Sequence, residues 1–499
     1  MIERILLIDV EISEDKNNPT LQLYTHHPIG LLYIASFAKQ QFPHLEFKVF
    51  HTSTSNQAVQ DVEALHSSFN PDLVGLRALS IAANSFKLVS DKIREIMPNI
   101  PIIAGGPYPS ISYEDILVTG LADLAVIGEG ETTFAEVVGH FLKSNNIPLD
   151  IKGTAVLKDG KLKLNEPQPV IQDINILPFP DYNYVQLNDY CHLKNHAMQD
   201  ASKSAYLLSS RGCPYGCFYC HQLFGKRIRR RTGENVIAEM RDHIDKRGIV
   251  DFVFLDDIFN VPMPEAKKVL KAIINELPPV RLNFPNGLRA DFIDEEMLDL
   301  FEQAGTAEMA LAVETVVPRL QKLVGKNLDV AKAQIAISAA TKRFITRIFF
   351  IIGFPTETYE EAMKTLEFAA SFEHAAQPSL SVLRLYNNSR LMDILQPNEE
   401  QMAMIAEQEK NFLHLKMFND MEFYGDFFSA DKVPLKSPDL KELQYYWMRN
   451  VIMNPVRIKN SYQVISKFYD KDQTLEFYRS IFDRVKFSES DLQKLLKFS

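Results

Sequence analysis

Two successive runs in which short apolar segments alternate with amphipathic ones leave this 499-residue chain few folds to adopt. In the first run, Arg4–Val10 (RILLIDV), Leu45–His51, Asp72–Leu76, Ile102–Ile103 and Leu124–Ile127 read as strands. Continuous apolar runs of this length suit strands covered on both faces. Between them, Leu31, Ile34, Ala35 and Ala38 share one helical face after Pro28-Ile29-Gly30, and helices are expected over Ala58–Ser67 and Asn84–Met97. The alternation predicts a doubly wound, Rossmann-like parallel α/β sheet. The second run starts at Ser204. Its strands are AYLLSS, Phe252–Leu255, Leu282–Phe284, Met309–Val313, Arg347–Ile352 and Leu380–Leu385. Its helices are Glu234–Lys246, Pro264–Glu276, Asp294–Ala304, Val330–Lys342 and Tyr359–Glu373. A series of this kind predicts a whole or partial (β/α)6 TIM barrel, whose chemistry sits at the carboxyl ends of its strands.

The expected domains are therefore 1–147 and 204–386, joined by a linker over 148–203 that Pro167, Pro169, Pro178 and Pro180 punctuate, with a short hairpin at Thr154–Leu164. From 387 to 499 the pattern turns polar, helical and rich in Phe and Tyr, as in a helical cap. Tyr424, Phe427, Phe428, Tyr445, Tyr446 and Trp447 are candidates for a substrate pocket there, although helix aromatics more often build core. With 46% apolar and 24% charged residues, global disorder is excluded. Basic residues number 54 and acidic ones 64, a net charge of −10, which argues against a nucleic-acid partner. The one dense basic run, Lys226-Arg227-Ile228-Arg229-Arg230-Arg231, reads by default as a solvated loop. No apolar run approaches the ~18 residues of a membrane-spanning helix. The first residues carry acids early and lack a basic signal region, so a cytoplasmic location is expected.

Of four cysteines, Cys213, Cys217 and Cys220 lie in one array, Arg211-Gly212-Cys213-Pro214-Tyr215-Gly216-Cys217-Phe218-Tyr219-Cys220. Clustered thiols fit a reduced compartment and a metal site better than a disulfide framework. Three thiolates at C-x3-C-x2-C spacing can wrap one loop around three irons of a cubane and leave the fourth iron open. Gly212 and Gly216 are expected to let the loop turn tightly around the sulfurs. Structural zinc commonly takes four ligands, with His221 the adjacent candidate, and an ordinary ferredoxin-type cluster needs four cysteines, with only Cys191 remaining.

Residues 204 to about 385 resemble the radical S-adenosylmethionine (radical SAM) superfamily, whose hallmark is C-x3-C-x-aromatic-C, the aromatic here being Tyr219. The resemblance implies a [4Fe–4S] cluster on Cys213, Cys217 and Cys220 whose open iron chelates S-adenosylmethionine. Reductive cleavage would then give methionine and a 5′-deoxyadenosyl radical. Later strand ends extend the match. Asp256 and Asp257 stand where the family contacts the methionine amino end, though Asp257 also reads as a helix cap. Arg289, in Asn286-Gly287-Leu288-Arg289, would meet a carboxylate. Glu314, in Ala312-Val313-Glu314-Thr315, resembles the G-x-E-S motif with Ala and Thr replacing Gly and Ser. Gly353-Phe354-Pro355 matches the Gly-x-Pro that passes near the adenine. The frequent Pro-Gly-Thr of the sixth strand is Asn387-Asn388-Ser389 here.

The first run is similar to the cobalamin-binding branch of that superfamily. Pro28-Ile29-Gly30-Leu31, Pro71-Asp72-Leu73-Val74-Gly75, Gly105-Gly106-Pro107-Tyr108-Pro109 and Gly128-Glu129-Gly130-Glu131-Thr132 occur in the family's order. Glycines after parallel strands let the backbone approach a large flat cofactor. The resemblance implies cobalamin contacts at Arg77, Ser80, Gly105, Gly106, Gly128, Glu129 and Gly130. The D-x-H-x-x-G loop that supplies a cobalt ligand elsewhere is absent. His26 and His27 are expected to be plain loop residues, with Arg77 or Leu79 below the corrin; for Arg77 a surface ion pair is the plainer reading. An arginine has no lone pair to give a metal.

Together these readings imply a cobalamin-dependent radical SAM methyltransferase of the class B type, acting on an unactivated carbon through the 5′-deoxyadenosyl radical and methylcobalamin. The alternatives are an oxidative cyclase or rearrangement enzyme with the same cofactors and, more remotely, a non-enzymatic zinc- and cobalamin-binding module. A small-molecule, lipid-precursor or peptide substrate and an electron donor such as flavodoxin or ferredoxin are the partners implied.

Overall fold

The computed structural model describes residues 2–11, 25–52, 58–191, 193–195, 199–220, 223–385, 390–411 and 423–482. It divides into two units, 1–203 and 204–499. His221 and Asn387-Asn388-Ser389 lie outside the described residues.

The first unit alternates strand and helix: β1 (Arg4–Val10), α1 (Ile29–Gln41), β2 (Glu46–His51), α2 (Ala58–Phe69), β3 (Leu73–Ala78), α3 (Ala83–Ile96), β4 (Ile102–Gly105), α4 (Pro107–Val118), β5 (Leu124–Val126) and α5 (Glu131–Phe141). A hairpin follows, β6 (Thr154–Lys158) and β7 (Lys161–Leu164). The sheet order is β2-β1-β3-β4-β5-β6-β7, parallel through β5 and antiparallel after it. The segment expected as a linker therefore contributes two strands to this sheet. One core gathers Leu6, Ile8 and Val10 of β1, Val74 and Leu76 of β3, and Phe86, Val89 and Ile93 of α3. The helical spacing of those α3 residues is what turns one face inward, and each fully buried aliphatic side chain contributes about 1.5–3 kcal/mol. The sequence reading did not assign α4. Its Pro107-Tyr108-Pro109 start looks like a loop, yet proline is tolerated in a first helical turn, and Gly106 precedes it at φ 87°.

The second unit holds an all-parallel six-stranded sheet ordered along the chain: β8 (Ser204–Leu207), β11 (Asp251–Phe254), β12 (Arg281–Leu288), β13 (Thr306–Glu314), β14 (Ile345–Ile352) and β15 (Gln377–Val382). Two-residue strands β9 (Ser210–Arg211) and β10 (Arg229–Arg230) pair antiparallel and bracket the cysteine loop. The connecting helices are α6 (Gly233–Arg247), α7 (Met263–Glu276), α8 (Glu295–Gln303), α9 (Pro318–Val324), α10 (Val330–Arg343) and α11 (Tyr359–Ala370). This is a partial (β/α)6 barrel, open between β8 and β15. Every residue of β13 is buried, as a central strand requires. β12 runs through Pro285 to Leu288, farther than its apolar stretch suggested, and β15 begins three residues earlier than expected.

The helical region after the barrel comprises α12 (Leu391–Leu395), α13 (Glu399–Asn411), α14 (Ser437–Trp447), α15 (Pro455–Ile465) and α16 (Lys471–Phe482). Trp447 packs on Phe350 of β14, ring centres 5.9 Å apart. The buried Arg457 donates to the carbonyls of Ala375, Ala376, Val451 and Ile452. That guanidinium ties the helical region to the approach to β15. Among the described residues, no helix is long and apolar enough to cross a membrane.

Candidate active site

The cysteine loop leaves β9 at Gly212. The φ of Gly212 is 95°, and a Cβ there would stand 2.4 Å from the Arg227 carbonyl oxygen, so no other residue fits without moving the backbone. Gly216 has no such requirement. The close approach beside it is made by Gly325, at φ 79°, where a Cβ would lie 2.9 Å from the Gly216 carbonyl oxygen. The loop is pinned by Cys213 N–H to the Gly225 carbonyl (3.1 Å) and Phe218 N–H to the Val324 carbonyl (3.1 Å).

All three thiols titrate high. Burial pushes up Cys213 and Cys217, and each also feels neighbouring acids or thiols. Burial, then Cys217 and Cys213, push Cys220 up to about 12. Three thiolates gathered here would repel one another, so the loop is stable as thiols until a cationic metal centre displaces the protons. Among the described residues, no three His, Cys, Asp or Glu side chains converge tightly enough to hold one metal ion. A single zinc needs every sulfur about 2.3 Å from one point. A cubane offers each sulfur its own iron and so accepts a wider spacing. Three thiols on one loop within electrostatic reach of one another can serve as ligands of such a cluster.

Around the loop, the strand ends present acids already in use. Asp256 is 2% exposed and accepts from the Ser209 N–H (3.1 Å) and from the hydroxyls of Ser209 and Ser210. Asp257 accepts the Gly212 N–H at 2.9 Å, and burial raises its carboxyl. It does not cap a helix, since α7 starts at Met263 behind Pro262. Both carboxylates thus hold the start of the cysteine loop. Arg289 is similarly spent. Its guanidinium grips Asp291 through two bonds (2.8 and 3.0 Å), donates to the carbonyls of Lys326 and Asn327 (2.7 Å each), and lies 4.0 Å over the Tyr215 ring. The carboxylate Arg289 meets is therefore Asp291.

Glu314 ends β13 with φ 69°, a left-handed conformation that costs a non-glycine residue about 1–3 kcal/mol. Its side chain is buried and pairs with Lys326 Nζ at 2.9 Å. Where the family motif has glycine, Ala312 fits because the neighbouring strand carries Gly287, whose added Cβ would stand 2.6 Å from that of Ala312. Tyr219 tilts against Phe354, ring centres 6.1 Å apart, and burial and the nearby Glu314 raise its hydroxyl. Gly353 has φ 85°. Its N–H and that of Phe354 donate to the buried Glu357, and its carbonyl accepts the Tyr424 hydroxyl at 2.6 Å. Tyr424, Phe428 and Trp447 are buried in packing, whereas Phe427 and Tyr445 are exposed, so these candidates do not share one wall. Lys326, Glu357 and Asn260, which bonds both backbone groups of Arg289, were missed. Each acts across a loop, and no local periodicity marks it.

The basic run is not a solvated loop. Arg231 pairs with Glu239 in the interior, Arg230 donates to the carbonyls of Phe259 and Val261, and Arg229 to that of Phe224. Only Lys226 and Arg227 of its cations are exposed.

In the first unit the carboxyl ends of β1, β2 and β3 carry a charged cluster. Arg77 pairs with Asp9 at 2.7 Å, and Asp9 is 1% exposed, so this ion pair is an interior one rather than a surface one. Gly106 admits it, because a Cβ there would meet Arg77 Cγ at 2.7 Å. Glu11 lies 3.4 Å from both His26 Nδ1 and His51 Nε2. Burial would raise the Glu11 carboxyl, but His26, His51 and Arg77 together hold it at about 2. His26 thus lies against the Glu11 carboxylate, with burial lowering its own titration, and His27 is packed between Tyr182 and Tyr190. Gly128, at φ 84°, donates to Ser110 Oγ (3.2 Å). Gly130 precedes α5 with Ile34 against it, Gly105 closes β4, Glu129 is half-buried and Ser80 is exposed. Sequence reasoning named Arg77 and His26 of this cluster but missed Asp9, the buried acid in the apolar β1 run that partners Arg77.

A parallel sheet with glycine-bearing loops, followed by a partial barrel with a three-cysteine loop, is the arrangement of an enzyme that works through bound cofactors. The B12 binding domain model matches residues 23–138 and the Radical SAM superfamily model residues 207–369. The chain thus carries a B12 binding domain and a radical SAM domain. It is an enzyme whose cofactors are a [4Fe–4S] cluster, S-adenosylmethionine and cobalamin. It is 28% identical over 353 residues to the uncharacterized methyltransferase PH0819 of Pyrococcus horikoshii, covering 70% of this chain and 74% of that one. It is 22% identical over 475 residues to the anaerobic magnesium-protoporphyrin IX monomethyl ester cyclase of Rubrivivax gelatinosus, covering 89% of this chain and 80% of that one. Its fold is like that of the radical S-adenosylmethionine methyltransferase TsrM of Kitasatospora setae, solved with cobalamin and a [4Fe–4S] cluster. The TM-score is 0.64 at 17% identity, over 79% of this chain and 75% of that one.

Proposed function

We propose that this chain is a cobalamin-dependent radical SAM methyltransferase acting on an unactivated carbon. The carrying observation is the three-thiol loop at the carboxyl end of a barrel strand, on a chain that also has a B12 binding domain. When bound, the cofactors supply a reductively generated adenosyl radical and a transferable methyl group, the hard chemistry that side chains lack. The chain's residues position and shield. Cys213, Cys217 and Cys220 are assigned as cluster ligands. Asp256 and Asp257 fix the entry of their loop through Ser209, Ser210 and Gly212. Tyr219, Glu314 and Gly353 line the strand ends where S-adenosylmethionine would lie, and Arg289 orders the loops beside them. In the first unit, Gly105, Gly106, Gly128, Glu129 and Gly130 would let the corrin approach the strand ends, with Arg77 fixed by Asp9 and Ser80 beside it. Four free cysteines, three of them on one loop, fit a reducing cytoplasm, with a flavodoxin or ferredoxin as electron donor. The substrate would be a small molecule, a lipid precursor or a peptide.

The test is anaerobic reconstitution with iron, sulfide and hydroxocobalamin, followed by methyl-labelled S-adenosylmethionine and reductant. Formation of 5′-deoxyadenosine with label passing to the corrinoid is expected. Zinc in place of iron, with neither signal, would sink the proposal. A second reading, cyclisation with the same cofactors, is supported by the likeness to the cyclase over 89% of this chain. It predicts 5′-deoxyadenosine without label transfer, and a product lighter by hydrogens rather than heavier by one CH2.

A further inference from the structure

The strand-end motifs suggest that Arg289 meets the carboxylate of S-adenosylmethionine, yet its guanidinium is occupied by Asp291 and by the carbonyls of Lys326 and Asn327. What Arg289 does is hold the backbone of Lys326. The Gly325 turn, at φ 79°, then sends the chain back beside the cysteine loop. There Lys326 is 8% exposed, and its ammonium bonds Glu314 at 2.9 Å. It is close enough to Cys213 and Cys217 to act electrostatically on both thiols, and Glu314 acts likewise on Cys217, Tyr219 and Cys220. An ammonium has three N–H donors, and among the described residues Glu314 is the hydrogen-bond partner of this one. A buried ion pair with unused donors is costly unless something further satisfies it. The amino-acid end of S-adenosylmethionine carries one ammonium and one carboxylate, the charge complement of Glu314 and Lys326.

We propose that Lys326 is the cationic partner of the S-adenosylmethionine carboxylate, paired with Glu314 as its counter-charge, and that Arg289 is a positioning residue that sets the Lys326 loop. This rests on the radical SAM reading above. Lys326 then contributes to selecting S-adenosylmethionine over ligands that lack the carboxylate, such as its decarboxylated form.

The test compares Lys326→Gln and Lys326→Arg with the unchanged enzyme, each reconstituted with its cluster. S-Adenosylmethionine and decarboxylated S-adenosylmethionine are titrated while the paramagnetic resonance of the reduced cluster is followed. Lys326→Gln should weaken S-adenosylmethionine binding by about tenfold or more, as for the loss of one charged hydrogen bond. Its affinity for the decarboxylated ligand should stay within about twofold of the unchanged enzyme, at the same iron and sulfide content. Lys326→Arg, which keeps the charge, should restore most of the binding. Equal losses for both ligands would overturn the proposal, because the lysine would then only support the loop. Undiminished binding of S-adenosylmethionine to Lys326→Gln would overturn it as well. If the unchanged, cluster-loaded enzyme failed to perturb its resonance with S-adenosylmethionine, the radical SAM reading itself would fall, and this proposal with it.

Discussion

Glu357 is wholly buried, and its carboxylate accepts the N–H groups of Gly353 and Phe354. Those bonds favour the ionised form, but burial is the larger effect and pushes its carboxyl from 4.5 to about 8. The folded chain therefore binds this proton more tightly than the unfolded one. Stability from this group is full below about pH 4.5 and is lost as pH rises toward about 8. Glu357→Gln is a neutral near-isostere and removes that slope. Relative to the unchanged protein, the variant should gain roughly 3 kcal/mol between about pH 5 and pH 8, at about 1.4 kcal/mol per proton per pH unit. Urea unfolding at the two pH values measures it, and parallel pH profiles would show that the carboxyl titrates normally. Glu308, inside the barrel and raised to about 7, adds a slope of the same sign to both proteins, which cancels in the difference. Sequence inspection singled out Gly353 but not Glu357. The Gly-x-Pro pattern marks the turn, whereas the acid that ties it lies four residues on, next to the capping pair Thr358 and Glu361 that starts α11.

Among elements, the β9–β10 pair and α6 form the frame of the cysteine loop. Thr232 caps α6, and Arg231 immediately before it reaches back to the Leu208 carbonyl and to Glu239 on the helix. In the sequence Arg231 is one of five cations in a row of six residues, and charge density alone reads as solvated surface. The fold separates them by strand pairing. Arg229 and Arg230 sit on β10 opposite Arg211 and Ser210, and only Lys226 and Arg227 stay on the exposed approach. Removing one partner of a buried pair leaves the other uncompensated, typically at about 3–5 kcal/mol. Arg231→Met should lower the unfolding free energy read by urea titration by that much and reduce cluster loading, whereas Lys226→Ala with Arg227→Ala should stay within about 0.5 kcal/mol. A harmless Arg231→Met would return the run to an ordinary basic loop. The strands themselves were legible because each is an apolar run between turn residues. α4 was hidden by its prolines, and the end of β12 by Pro285, where propensity and tertiary pairing disagree.

Across the whole molecule, the B12 binding match and the radical SAM match fall to two separately cored units, 1–203 and 204–499. The charged cluster of Asp9, Glu11, His26, His51 and Arg77 lies entirely in the first, and the thiols with Lys326, Glu314 and Arg289 entirely in the second. The order of the two series was readable from the sequence, since each parallel sheet writes its own strand–helix rhythm. The charged cluster was not, because Glu11, His26, His51 and Arg77 come from four separate segments, and only the folded sheet brings their ends together. Division of labour at this scale makes the losses separable. Cys213→Ala with Cys217→Ala and Cys220→Ala should abolish iron uptake and the brown absorption of the cluster, while cobalamin uptake stays within about twofold. Arg77→Ala leaves Asp9 buried without its partner, so it should weaken cobalamin uptake by about tenfold or more while iron content is unchanged. Absorption spectra and metal analysis of the same samples read both. A cysteine variant that also lost its cobalamin would mean that the units take up their cofactors cooperatively, and the separate cores would then describe the architecture but not the assembly of the active enzyme.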